Sequence, residues 1–475
     1  MADGKQIVPL SEGPENVGWL INIMKGEAPQ TRAKPLIQKV SRTLREIESN
    51  KSCFDPLVVS LGPYHHGQER LMQMEDYKSV AARWFVSLAT HNKPPGTITD
   101  MEVQVAYQHF ITVARESCPT HCYADKFFLL KFTYNDFMRM MFLDGCFILH
   151  FIHLVVEGSD ELSNTSHLNQ PLILRDMFLL ENQIPYSILK ALMSLLQPNQ
   201  SNEINRFIEL VFLLQHKQPR SCSNPINLFI EFFPNFKKDR QITSAGSKSA
   251  NTEKEGEPFH LLDFLRSKLI GKDAKKSPPS ASPESGYWQY YFRSIMELKT
   301  AGIKLRRSKS KCLKDIQFRS GIFDGHLQLP QFMVDDATKT RLLNLIAYEM
   351  CPDGLSDRAV TSYICFLDSL IDHAEDVKEL RSKNILLNRL GSDEKVANLF
   401  NELANNLTPN SKTYSDVMQG IEKHSRSRVK VWIAEFTHTH FTSPWTVMAL
   451  MAAIFVILLT VAQTYYSAVS YYNPK

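Results

Sequence analysis

Residues 137–156, FMRMMFLDGCFILHFIHLVV, are apolar enough to be mistaken for a membrane span, yet they include Arg139, Asp144 and two histidines. A charged side chain near the centre of a span costs roughly 3 kcal/mol, against about 0.5 kcal/mol gained from each large apolar side chain. The stretch therefore predicts a helix buried in the core of a soluble body. Because Gly145 weakens a helix, we expect a break or a close backbone approach beside Asp144.

A second apolar run, WTVMALMAAIFVILLTVA, begins at Trp445, ends at Ala462 and carries no charge. Its 18 residues span about 27 Å as a helix, which matches the hydrocarbon core of a bilayer. Aromatic rings frame it, with Trp445 before it and Tyr465 and Tyr466 after it, as is typical of lipid–water boundaries. We predict a transmembrane helix over residues 445–465.

Basic residues precede this run and set its orientation. Lys423, Arg426, Arg428 and Lys430 lie before it, whereas Lys475 alone follows it. The positive-inside rule then places the large N-terminal body in the cytosol, and we expect the four residues before the run to contact anionic lipid. The N-terminus shows no secretory signal pattern. The sequence thus predicts a tail-anchored, single-pass protein of the endoplasmic reticulum or plasma membrane.

The composition is that of a globular protein, with 43% apolar and 22% charged residues. A net charge of +4 is small for 475 residues, which argues against a nucleic-acid partner. The cysteines are scattered among apolar residues and indicate no disulfide framework. Cys118 and Cys122, with His121 between them, lack a second cluster that would complete a zinc site. We expect no metal and no cofactor.

Changes in composition divide the chain into segments. Residues 237–286 are largely low-complexity sequence, which cannot bury enough apolar area to offset chain entropy. The predicted segments are a polar tail (1–34), a mostly helical domain interrupted by that insertion (35–422), a basic juxtamembrane segment (423–444), the transmembrane helix (445–465) and a short tail (466–475).

Helical spacing dominates the domain. Thr99 and Glu102 match a capping box, and apolar residues over 396–407 share one helical face. Alternation typical of strands is limited to residues 56–61 and 325–334. The sequence therefore predicts a mainly α protein, with a large helical body, a few short strands and one C-terminal transmembrane helix.

Several blocks of sequence resemble the plant family called domain of unknown function 247. They include VVSLGPYHHG at 58–67, FLDGCFIL at 142–149, RDMFLLENQIP at 175–185 and NLIAYE at 344–349, and the resemblance extends from about residue 35 to the C-terminus. The motif positions that we single out are Gly62, Pro63, Tyr64, His65, His66, Gly67, Asp144, Asp176, Glu181, Asn182, Gln183, Pro185, Asn344, Tyr348 and Glu349.

The resemblance implies a large helical body, one C-terminal membrane segment and no known activity. Certain grass members are associated with the pollen side of self-incompatibility, which suggests recognition rather than chemistry. We therefore expect a membrane-anchored plant protein of recognition or signalling with protein partners, and we expect no enzyme. An alternative with the same recognition role places the body outside the cell.

A second alternative is a membrane-bound enzyme built on Tyr64, His65 and His66 with a buried carboxylate. Two adjacent histidines can move protons near neutral pH, but neighbouring side chains point in different directions. We expect them to form hydrogen bonds with backbone around a tight turn. For the acidic motif residues we expect structural ion pairs, with Arg42, Arg45 and Arg175 as the available partners.

Overall fold

The computed structural model describes residues 36–90, 93, 97–116, 119–157, 170–196, 202–214, 257–271, 294–321, 324–352, 357–410, 412–426 and 444–472. Within these ranges the chain is mainly helical, as predicted. The α-helices are α1 (Arg42–Arg45), α2 (Gln73–Ala89), α3 (Asp100–Glu116), α4 (Lys126–Leu129), α5 (Tyr134–Glu157), α6 (Gln170–Asp176), α7 (Tyr186–Met193), α8 (Glu203–Leu214), α9 (Leu261–Ile270), α10 (Ile295–Thr300), α11 (Thr338–Glu349), α12 (Ala359–Asp368), α13 (Ala374–Ser382), α14 (Asp393–Leu403), α15 (Ser415–Ser425) and α16 (Pro444–Tyr472). The strands are β1 (Ile303–Arg307), β2 (Gln317–Ser320), β3 (Gly325–Leu329), β4 (Phe332–Val334) and β5 (Leu386–Asn388).

Helix α5 lies at the centre of the N-terminal half. Helices α2, α7 and α8 pack against it, and α3 packs against α7 in turn. Its most apolar 18-residue window is 78% buried inside the protein. The predicted core helix is confirmed, and the carboxylate of Asp144 is buried within it.

The backbone of α5 runs unbroken past Gly145, so the predicted break is wrong. The predicted close approach is present instead. A Cβ atom added at Gly145 would lie 2.4 Å from Cδ1 of Leu192 on α7. Since glycine has no side chain, α7 packs directly against the α5 backbone at this level.

The C-terminal half combines helices α11 to α14 with two small sheets. In the larger sheet, β3 lies between β1, to which it is parallel, and β2, to which it is antiparallel. Strands β4 and β5 pair in parallel, and α15 packs on β2. Buried apolar residues from Ile37 to Ile421 form one contiguous cluster, so both halves share a single core.

Two local signals in the sequence are confirmed. Before α3, the N–H of Thr99 donates to Glu102 Oε2 at 3.0 Å, and the N–H of Glu102 donates to Thr99 Oγ1 at 3.4 Å. This is the predicted capping box. On α14, the predicted apolar stripe buries Val396, Phe400 and Leu403.

The two strand predictions have different outcomes. Residues 325–334 contain β3 and β4, as the alternating pattern indicates. Residues 56–61 contain no strand, so that prediction is wrong. Their backbone bends at residues 57 and 58 and bonds to side chains, whose positions in the fold define the candidate site.

Helix α16 is the second described helix, after α5, that is long and apolar enough to cross a membrane. Its segment Met448–Ala468 is long and apolar enough to cross a membrane, and none of its most apolar window is buried against the body. The helix extends beyond the predicted limits of 445–465 at both ends. The predicted tail at 1–34, most of the insertion at 237–286, Arg428 and Lys430 lie outside the described residues.

We expect Gly145→Ala to lower the free energy of unfolding by about 1–2 kcal/mol, because overpacking outweighs the gain of up to about 1 kcal/mol in helix propensity. Leu192→Ala alone creates a cavity. In the double variant the new methyl group enters that cavity, so Gly145→Ala should cost nothing there. Urea denaturation of all three variants checks this double-mutant cycle. An equal cost of Gly145→Ala in both backgrounds would contradict the close approach.

Candidate functional site

Residues 57–62 form a segment that bends at residues 57 and 58 and enters the core next to the motif residues of α5 and α6. One carboxylate oxygen of Asp176, Oδ2, accepts the backbone N–H groups of residues 57, 58 and 59 at 2.9, 2.7 and 3.1 Å. The other oxygen lies 2.7 Å from Nη1 of Arg175. Because buried N–H groups must be hydrogen-bonded, Asp176 takes the place of the strand neighbour that the sequence pattern predicted.

Two further motif side chains continue this arrangement. The N–H of Leu61 donates to Asn182 Oδ1 at 2.7 Å, and Asn182 Nδ2 donates to the carbonyl oxygen of Val59 at 3.0 Å. The N–H of Gly62 donates to Asp144 Oδ2 at 2.7 Å. Backbone N–H groups and a backbone carbonyl of the segment are therefore hydrogen-bonded to side chains distant in sequence.

Asp144 belongs to a buried charge cluster that sequence reasoning missed. Its Oδ1 lies 2.6 Å from Nζ of Lys78, which also lies 2.6 Å from Glu75 Oε1. Burial opposes the charge on Lys78, but the two carboxylates outweigh it and raise the pKa of Lys78. Burial raises the pKa of Asp144, although Lys78 counteracts this effect. The available signal was the spacing of Glu75 and Lys78, which suits a helical ion pair.

Glu181 lies at the centre of a second buried cluster. It accepts the N–H of Val40 at 2.7 Å and lies 2.9 Å from Nη2 of Arg45, the partner that the sequence suggested. Nε2 of His65 lies 3.6 Å from Glu181 Oε2, while its Nδ1 contacts Gln68 Nε2 at 3.1 Å. Burial lowers the pKa of His65 to about 4, so the ring is neutral at pH 7.

The histidines of the 62–67 turn separate as predicted, because His65 is buried and His66 is exposed. The predicted hydrogen bonds from the His65 ring to backbone are wrong, since its nitrogens face the side chains of Gln68 and Glu181. The turn is closed by its own backbone, and the hydroxyl of Tyr64 donates to the carbonyl oxygen of Ile37 at 3.0 Å.

Gly62 occupies a position that no other residue type fits well. Its φ is +73°, and an added Cβ would lie 2.6 Å from the carbonyl oxygen of Gln183 and 2.9 Å from the hydroxyl oxygen of Tyr123. That hydroxyl donates to the same carbonyl at 2.9 Å. Pro63 is buried beside it, Gly67 ends the turn with φ +79°, and Pro185 directly precedes α7.

Asn344 on α11 joins the C-terminal half to the network. Its Oδ1 accepts the N–H of Leu180 at 2.8 Å, and its Nδ2 donates to the carbonyl oxygen of Cys53 at 2.9 Å. Gln183 links to α9 in the same manner, since its Oε1 accepts the N–H of Leu262 at 3.1 Å. The two motif amides therefore fix four chain segments to one another: the segment at Cys53, the 176–183 turn, α9 and α11.

Glu349 closes α11 and supports the start of α12. It lies 2.7 Å from the guanidinium of Arg266 and accepts the N–H groups of Val360 and Thr361 at 2.9 and 2.8 Å. Its neighbour Tyr348 is buried, and burial raises its pKa. Arg266 is a further residue that the sequence did not single out, because it lies within the predicted insertion at 237–286, far from the other blocks.

The comparisons with known proteins agree with the sequence blocks. Residues 37–459 match the family domain of unknown function 247, described as "Plant protein of unknown function". The chain belongs to this family. No solved structure matches it.

Two relatives from Arabidopsis thaliana extend the similarity over nearly the whole chain. The UPF0481 protein At3g47200 is 28% identical over 451 residues, which cover 90% of this chain and 85% of the relative. A second UPF0481 protein, At3g02645, is 21% identical over 539 residues, which cover 94% of each. The names of these two relatives state no activity.

The acidic motif side chains act as hydrogen-bond acceptors for backbone N–H groups. Asp144, Asp176 and Glu181 each accept at least one buried N–H and pair with a cation. Among the described residues, no group of three or more His, Cys, Asp or Glu side chains is arranged to hold a metal ion. Cys118 lies outside that part of the chain, so the cysteine pair is not placed.

The basic juxtamembrane residues are placed in part. Lys423 and Arg426 are exposed at the end of α15, where Arg426 pairs with Glu422. Arg428 and Lys430, like the residues up to 443, lie outside the described ranges. Contact of the four basic residues with lipid stays a prediction.

We expect Asp176→Ala to lower the free energy of unfolding by about 3–5 kcal/mol, because it leaves one buried and two partly buried N–H groups, together with Arg175, without their acceptor. Asp136→Ala is a matched control, since exposed Asp136 bonds only locally, with Thr133, near the start of α5. That change should cost about 1 kcal/mol or less. Urea denaturation of the full chain measures both. Similar costs for the two variants would contradict the role of Asp176.

Acid should destabilise the protein between pH 6.5 and pH 4. Burial lowers the pKa values of His65, His150 and His260 to about 4. Protonation therefore favours the unfolded chain, and the stability present above pH 6.5 is lost as the pH falls toward 4. A pKa that falls from about 6.5 to about 4 corresponds to about 3 kcal/mol for each ring.

Thermal unfolding at several pH values checks this dependence. His260→Asn provides the matched variant, because asparagine retains an acceptor for the N–H of Asp263 at the start of α9 but does not titrate. Its stability should fall less steeply between pH 6.5 and 4 than that of the unchanged chain. Equal slopes would show that His260 is not held neutral.

Proposed function

We propose that this protein is a single-pass membrane protein whose helical body binds other proteins in recognition or signalling. The contrast between its two apolar helices carries the first part of the proposal. The most apolar 18-residue window of Tyr134–Glu157 is 78% buried by protein, whereas that of Met448–Ala468 is 0% buried. The second segment carries no charged residue. Lipid is the solvent that such a surface requires.

The polar network supports binding rather than chemistry. The acidic motif residues are engaged with backbone N–H groups and with the cations Lys78, Arg175 and Arg45. Groups used in this way hold the body in one shape. A rigid helical body next to a membrane presents its surface, rather than these buried groups, to a partner.

Orientation toward the cytosol is part of the same proposal. Lys423 and Arg426 are exposed at the end of α15, the last helix before α16 among the residues that the structure describes. Basic residues on this side of a span favour the cytosolic face, where the leaflet is anionic. Endoplasmic reticulum and plasma membrane both fit this arrangement.

One observation favours an enzyme as a second candidate. His65 Nε2 lies 3.6 Å from Glu181 Oε2, and Gln68, which contacts the same ring, lines an open depression of about 540 Å³ with Glu69 and Arg70. A histidine beside a carboxylate is an acid–base pair in many enzymes. A turnover screen of the full chain, with His65→Gln as the matched variant, tests this candidate.

The full chain expressed in plant cells should remain in the membrane pellet after alkaline carbonate extraction. Replacing Ile454 and Leu458 with arginine costs roughly 3 kcal/mol at each position and should release it, whereas Leu458→Met should not. Release of the unchanged chain would contradict the anchor.

The same membranes test the topology. The sequon at Asn406 is exposed, so a lumenal or extracellular body would carry a glycan there. We expect no change in mobility after endoglycosidase treatment. A shift that disappears in Asn406→Gln would place the body on the opposite side, in agreement with the extracellular alternative.

A further inference from the structure

Two large apolar side chains stand out from the body on the segment 126–134, KFFLLKFTY. Phe127 is 86% exposed and Leu130 is 80% exposed, the highest fractions among the large apolar side chains that the structure describes. They lie three positions apart on α4 and the turn after it, so they share one side of this segment. Phe127, Leu130 and the flanking Lys126 and Lys131 are called the apolar ridge below.

The ridge is held in place from beneath. Phe128 and Phe132 point the other way, and the ring of Phe128 packs 5.5 Å from that of Tyr64, between ring centroids. Asp125 caps the short helix by accepting the N–H of Phe128 at 2.9 Å. The inward aromatic residues are thus accommodated by the body, which leaves the outward pair directed at solvent.

Exposed lysines flank the two side chains in sequence, because Lys126 precedes Phe127 and Lys131 follows Leu130. Nζ of Lys126 donates to the carbonyl oxygen of Thr120 at 2.8 Å. Nζ of Lys131 and Nζ of Lys39 lie 4.6 and 4.5 Å from the ring centroid of Phe128. The nearby carboxylate of Asp125 is already paired with Lys39 at 2.9 Å. Apolar side chains flanked by lysines match the boundary of an anionic bilayer, where ammonium groups meet phosphates and apolar groups enter the acyl region.

The proposed anchor keeps the body, which carries this ridge, near a membrane. Seventeen residues separate Arg426 from Pro444, and that length of chain reaches at most about 60 Å. A tethered surface meets the bilayer at high effective concentration, so a small contact is sufficient for docking. This step rests on the membrane anchoring proposed above.

We propose that the apolar ridge docks the body onto anionic phospholipid, with Phe127 and Leu130 inserted at the headgroup boundary. A second copy of the chain is a poorer occupant. In a twofold contact, Lys126 and Lys131 would face their own equivalents, which repel one another. Lipid provides phosphate for the lysines and acyl chains for the apolar pair without a matched protein surface.

Amide hydrogen exchange of the full chain in nanodiscs tests the docking. Exchange across residues 126–134 should be about tenfold slower in nanodiscs that contain phosphatidylserine than in nanodiscs of phosphatidylcholine alone. Phe127→Ser with Leu130→Ser should abolish this protection. Lys126→Gln with Lys131→Gln should remove the dependence on anionic lipid. Met296→Ser is the matched control, because Met296 is an exposed apolar residue on α10, outside the segment 126–134.

Equal exchange in the two lipids, or protection that survives both double variants, would overturn the docking. Protection that depends on protein concentration and appears equally in detergent would instead assign the ridge to a contact between copies, and would also overturn it. Carbonate extraction of the same variants separates the two proposals. A chain that stays in the membrane while the ridge exchanges freely disproves docking alone, whereas a released chain disproves the anchor.

Discussion

A single carboxylate oxygen, Oδ2 of Asp176, accepts three successive backbone N–H groups and thereby allows a segment that belongs to no helix or sheet to enter the core. Backbone polar groups normally enter a core only inside helices or sheets, because unpaired ones are costly. Asn182 and Asp144 extend the same solution to Leu61 and Gly62. The helices α5 and α6 and the 176–183 turn can therefore close around this segment.

Burying carboxylates for this purpose requires cations. Lys78 accompanies Asp144, Arg175 accompanies Asp176 and Arg266 accompanies Glu349. Breaking such a buried pair is strongly destabilising, while the intact pair adds little stability over apolar packing. The charges thus serve to specify one arrangement of chain segments. An acidic motif residue beside an apolar run can therefore have a structural role that requires a carboxylate, without taking part in catalysis.

The sequence was sufficient where the deciding interactions are local. The charges within 137–156 distinguish a core helix from a span, and the capping box and the 396–407 stripe involve residues within a few turns of each other. The segment 56–61 shows why the rest escaped prediction. Its alternation is that of a strand, but its acceptor Asp176 lies 117 or more residues away, and no local pattern reports that distance. The pairs of Lys78 with Asp144 and of Arg266 with Glu349 were not predicted, because these partners are also far apart in sequence. Arg45 and Arg175 were predicted correctly as ion-pair partners, because a core carboxylate needs a cation nearby.

The amide of Asn344 has a consequence for how the protein is made. It bonds the carbonyl of Cys53 across 291 positions of sequence, so the first motif segment has no complete set of partners until most of the chain has left the ribosome. Until then its apolar side chains are exposed in the nascent polypeptide. Biogenesis of this body should therefore depend on chaperones that hold the N-terminal half during translation.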